Sequence, residues 1–100
     1  MSSSSVLEPT VYHHKMAALV KQLRWLRHLT QNECALRGGI SPADVQVIED
    51  LRPTTNAHWE QRISALERAF DVPLREMVEK DMRPGRTIRV LPFVAAENNV

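Results

Sequence analysis

The chain has 100 residues, 43% of them apolar, and its 13 Lys and Arg against 12 Asp and Glu give a formal net charge of +1. A chain of this length is expected to bury one small core with no room for a second domain, and helices make the best use of so few apolar residues. No apolar run approaches the length of a bilayer span, the serine-rich start lacks the basic-then-apolar order of a signal peptide, and the single cysteine, Cys34, cannot close an internal disulfide. A cytoplasmic protein without membrane contact is expected.

The charge is unevenly spread. Residues 1–40 carry five Lys or Arg against two Glu, residues 41–82 carry five against nine acids, and residues 83–100 carry three against one. A basic front, an acidic middle and a basic tail leave one side able to face anions. Between Lys15 and Lys80, Ala, Leu, Glu, Arg and Gln are plentiful and runs of Val or Ile are scarce, which favours helices.

In chain order, residues 1–14 read as a disordered N-terminal arm, with four consecutive serines and Pro9. His13, His14 and Lys15 at its end can lie along a phosphate backbone or simply fray. The first helix is expected from about Lys15 to His28, with Met16, Leu19, Val20, Leu23 and Leu26 lining one face. Lys21, Arg27 and His28 lie off that face, pointing to water or a partner. Trp25 also lies off it, and is either a partner contact or a lid folded over the core edge.

Thr30 can cap a second helix starting near Gln31, with Glu33 reaching back to complete a capping box. Gly38 and Gly39 end it, because one of them can take the left-handed conformation of a C-cap. Cys34 reads as a small core residue, and Ala35 as the small residue that lets the second and third helices cross closely. Ser41 and Pro42 then start a third helix, running to about Asp50. Two short helices joined by a tight glycine turn make a helix-turn-helix.

The third helix carries Pro42, Ala43, Asp44, Gln46 and Val47 beside Val45 and Ile48, which are expected to face inward. Gln46 can pair with adenine, Ala43 and Val47 can touch a thymine methyl, and Asp44 can accept from a cytosine amino group. The helix has no Arg or Lys, and Asp44 and Asp50 are expected to repel phosphates. Residues 52–56, Arg-Pro-Thr-Thr-Asn, form a loop, and a fourth helix follows with Trp59, Ile63, Leu66 and Phe70 as core. A fifth, from about Pro73 to Lys80, closes the bundle with Leu74, Met77 and Val78.

Gln31, Ala35, Gly39, Val45, Ile48 and Glu49 at these offsets resemble the Cro and lambda-repressor-like (XRE) family, and Leu66, Ala69, Phe70, Val72, Leu74 and Met77 fit its last two helices. The resemblance covers roughly residues 16 to 80. It implies an all-α, five-helix bundle over residues 15–81 with a structural ion pair between Arg24 and Glu49, and it puts Asp71 at a helix C-cap. Base contacts would come from Pro42, Ala43, Asp44, Gln46 and Val47. Phosphate contacts would come from Thr30, Gln31, Arg52, Thr54, Thr55 and Asn56.

The tail, residues 82–100, changes character after Arg83-Pro84-Gly85. Residues 87–93 are rich in β-branched and apolar types, and a lone strand there needs a partner. Ile88, Val90, Leu91 and Phe93 either build a two-fold dimer contact, as the Cro resemblance implies, or drape over their own bundle.

The expectation is a homodimeric, cytoplasmic transcriptional regulator of bacterial, phage or plasmid origin that binds double-stranded DNA. The alternative is a protein-binding module, an antitoxin or an inhibitor of a regulator, that keeps the fold without reading bases. His13, His14, His28 and His58 show no metal-ligand spacing, and there is no phosphate loop or activated nucleophile, so neither an enzyme nor a cofactor is expected.

Overall fold

The computed structural model describes residues 6–83, and among them the chain is all-α. Its helices are α1 (Val11–Leu26), α2 (Gln31–Gly38), α3 (Pro42–Glu49), α4 (Asn56–Phe70) and α5 (Leu74–Met82). Local chemistry sets most of these limits. The Thr30 hydroxyl accepts the Glu33 N–H at 3.0 Å while the Glu33 carboxylate accepts the Thr30 N–H at 2.8 Å, and this reciprocal cap starts α2. Gly39 ends it with φ +73°, and Asp71 ends α4 with φ +59°, the left-handed geometry that Asp tolerates better than most residues. Pro73 precedes α5 at its N-cap.

The helices wrap around α4. Trp59, Ile63, Leu66 and Phe70 of α4 are fully buried against Met16 and Val20 of α1, Cys34 of α2, Val45 and Ile48 of α3 and Leu74 of α5. Each large apolar side chain so buried contributes about 1.5–3 kcal/mol relative to exposure. Burial pushes the Cys34 thiol pKa up, as expected of a packing residue rather than a nucleophile.

Helix α2 approaches α4 closely at Gly38. A Cβ built there would lie 2.8 Å from the Ala65 carbonyl oxygen of α4, so α2 packs against α4 only because this position lacks a side chain. Of the two glycines, Gly39 makes the turn and Gly38 makes the contact.

Several expectations need correction. The helix expected from Lys15 begins at Val11, so residues 11–14 of the supposed arm are helical. The reason is a cap: the Thr10 N–H donates to His13 Nδ1 at 3.0 Å. Upstream, Leu7 is buried and its N–H donates to the Thr54 carbonyl at 2.7 Å, pinning residues 6–10 across the loop before α4. Leu26, expected in the core stripe, is 65% exposed because α1 ends there. Arg27 covers the core edge instead, with its guanidinium 5.6 Å from the centre of the Phe70 ring and donating to the Phe70 carbonyl. Met77 lies at the surface rather than in the core. The expected dimer strand, with Ile88, Val90, Leu91 and Phe93, lies outside the described residues.

Candidate functional site

The residues expected to contact DNA fall on the start of α2, the outer side of α3 and the loop before α4. Their frame is an ion-pair cluster under the α2–α3 unit. Arg24 of α1 donates from Nε to Glu49 Oε2 at 2.7 Å and from Nη2 to Oε1 at 3.0 Å, and its Nη1 reaches the Leu29 carbonyl at 3.1 Å. Chiefly the hydrogen bonds to Glu49 raise the arginine pKa above its ordinary value. Gln31 Nε2 adds a bond to Glu49 Oε1 at 3.1 Å, so α1, α2 and the end of α3 meet on one buried carboxylate. Two oxygens accepting three donors fix the angle between α2 and α3 by geometry rather than by packing alone.

At the other end of α3, Ser41 caps the helix by accepting the Asp44 N–H at 3.2 Å. Asp44 returns the bond, its Oδ2 lying 3.0 Å from both the backbone nitrogen and the hydroxyl of Ser41. Its other oxygen, Oδ1, accepts from Arg62 Nε of α4 at 2.8 Å. Chiefly the Ser41 N–H, then Arg62 and the Ser41 hydroxyl, hold the Asp44 carboxyl below the usual aspartate range. Both oxygens are therefore engaged, and Asp44 is turned along its own helix start and toward α4. A base-edge contact from Asp44 would compete with these bonds.

The other expected contacts are spread as follows. Pro42 and Ala43 are exposed, and Gln46 and Val47 are partly so, on the outer side of α3. Thr30 and Thr55 spend their hydroxyl lone pairs on caps, of Glu33 N–H and of His58 N–H at 3.2 Å, which leaves each O–H as a donor. Gln31 is engaged by Glu49, and the Thr54 hydroxyl accepts from Arg62 Nη1 at 2.9 Å. Arg52 and Asn56 are exposed, with Arg52 Nε 3.7 Å from Asp50.

The three acids of α3 and its C-cap are thus each beside an arginine: Asp44 with Arg62, Glu49 with Arg24, Asp50 with Arg52. The repulsion expected from an acidic third helix is largely offset within the fold. Arg62 is the participant that the sequence reading missed. A signal was present, since Ser41 followed three residues later by Asp44 is itself a capping pattern that turns the carboxylate inward.

Trp25 is 78% exposed, beside Leu26, and with Arg24, His28, Leu29 and Thr30 it lines a shallow hollow of about 380 Å³ next to the start of α2. It does not fold over the core. Leu36 on α2 is 82% exposed. Among the described residues no helix is long and apolar enough to cross a membrane, and no three His, Cys, Asp or Glu side chains converge as a metal site would require. No family model, no curated protein and no solved structure matches the chain.

Proposed function

We propose that this protein is a DNA-binding transcriptional regulator in which α2 and α3 act as a helix-turn-helix, with α3 entering the major groove. The observation that carries the reading is the matching of each α3 acid with an arginine, which leaves Pro42, Ala43, Gln46 and Val47 facing outward without uncompensated negative charge. Gln46 is the one side chain among these able to make a bidentate pair with adenine, while Ala43 and Val47 offer apolar contact to thymine methyls. Backbone phosphates would be held by the Thr30 and Thr55 hydroxyls, the free N–H of Gln31, Arg52 and Asn56.

The resemblance of the sequence to the Cro and lambda-repressor-like family is what supports a homodimer. Its two α3 helices would lie about 34 Å apart on a pseudo-palindromic site. The test is selection of bound duplexes from a random pool at low salt, followed by fluorescence anisotropy of the selected duplex against salt. A dimeric regulator returns a palindrome and an affinity whose logarithm falls by about 0.9 per phosphate contact for each decade of salt. Gln46→Ala should then relax preference at one position of each half-site.

A second reading is favoured by a separate observation. Trp25, Leu26 and Leu36 are large apolar side chains left in solvent, as on a protein-binding module. A pool that enriches no sequence, with a partner interaction indifferent to salt and lost on Trp25→Ala, would establish that reading instead.

A further inference from the structure

Arg62 stands on α4, outside the α2–α3 unit, yet its guanidinium reaches across to the first turn of α3 and to the loop before α4. Nε reaches Asp44 Oδ1 at 2.8 Å and Nη1 reaches Thr54 Oγ1 at 2.9 Å, with the Arg62 side chain 20% and the Asp44 side chain 28% exposed. Thr54 in turn accepts the Leu7 N–H on its carbonyl. The Arg62 side chain therefore ties the loop before α4 to the first turn of α3, and the N-terminal segment joins the same loop through the backbone of Thr54.

The pairing has an electrostatic consequence for anything that approaches α3. Asp44 lies in the first turn, between the exposed Ala43 and the outward-facing Gln46. It stays ionised near neutral pH, because the Ser41 N–H and Arg62 both favour its charged form. Left alone, that carboxylate would stand in the helical turn that reaches deepest into a groove, opposing a phosphate-lined wall. A half-buried guanidinium on one of its oxygens cancels most of this field at the distance of a phosphate.

We propose that Arg62 is a positioning residue for DNA binding: it neutralises Asp44 and holds it away from the outer side of α3, so that Ala43, Gln46 and Val47 can approach the duplex. The inference rests on the DNA-binding reading above. It makes Asp44 a liability to binding that Arg62 removes, rather than a contact.

The experiment compares wild type, Arg62→Gln, Asp44→Asn and the double variant by anisotropy on a labelled random-sequence duplex pool, over a range of salt and well below each variant's melting temperature. Arg62→Gln should weaken binding about tenfold at low salt, with the deficit shrinking as salt rises. The double variant, which restores the wild-type net charge, should recover most of that loss, and Asp44→Asn alone should bind at least as tightly as wild type. Wild-type affinity in Arg62→Gln would overturn the proposal and leave DNA binding standing. Failure of the double variant to recover would overturn it too, showing that Arg62 touches phosphate directly or acts only through stability. Absence of wild-type binding at any salt would overturn the DNA reading itself and this proposal with it.

Discussion

Arg24 of α1 and Glu49 of α3 form a two-pronged ion pair, at 2.7 and 3.0 Å, in which the carboxylate is almost wholly buried. Gln31 and the Leu29 carbonyl complete the hydrogen bonding around it. Removing the arginine strands a buried charge, which generally costs about 3–5 kcal/mol, whereas replacing both partners with apolar residues of similar size costs far less. Arg24→Ala should therefore lower unfolding stability by about 3 kcal/mol in urea, and Arg24→Met with Glu49→Leu should recover most of it. Equal losses in the single and double variants would show that the pair does not act as a unit.

Gly38 and Gly39 should respond differently to alanine. At Gly38 the added methyl meets the Ala65 carbonyl oxygen, a backbone atom that cannot swing aside, so α2 must move off α4 at a cost of about 1–3 kcal/mol. At Gly39 the methyl meets nothing, and the cost is the left-handed backbone alone, about 1 kcal/mol. Thermal melts of the two variants should rank Gly38→Ala below Gly39→Ala, and the opposite order would remove the close helix approach from the account.

The N-terminal segment should behave as part of the fold. Leu7 is buried and its N–H is bonded, so Leu7→Ala should cost about 2 kcal/mol. Native-state hydrogen exchange reads the same contact directly. A Leu7 amide exchanging at the rate of an unstructured peptide would show that residues 6–10 are not docked.

His13 makes the start of α1 sensitive to pH. Its Nδ1 accepts the Thr10 N–H, which only an unprotonated Nδ1 can do, and its ring stands edge-on to Trp59 with centroids 4.9 Å apart. Burial lowers its pKa from the ordinary 6.5, with His14 lowering it further and Glu60 of α4 opposing both. A base whose pKa is lowered by folding binds fewer protons in the folded than in the unfolded chain. Its contribution is therefore fully present above pH 6.5 and is lost as pH falls from 6.5 toward the folded value. His13→Gln retains an acceptor at this position and should flatten that part of the stability profile, measured by urea melts across the window. A slope unchanged in the variant would assign the dependence to another histidine.

The limits of α2 and α3, the left-handed C-cap in the Gly38-Gly39 pair and the apolar face of α4 were legible in the sequence. Each depends on residues within a turn or two of one another, as when Thr30 exchanges hydrogen bonds with Glu33. Tertiary structure alone decided which way the longer side chains turn. Asp44 has the composition of a groove contact, but α4 brings Arg62 across to it. Arg27 has that of a solvent-facing charge, but Phe70 lies beneath it. Leu7 sits in a serine- and proline-rich stretch, yet the loop at Thr54 gives it a backbone partner and a place to be buried. The physical reason is that caps and turns are satisfied by neighbours in the chain, whereas a charge or an apolar group at the edge of a helix is satisfied by whichever element packs across from it. That element is set only when the whole core closes.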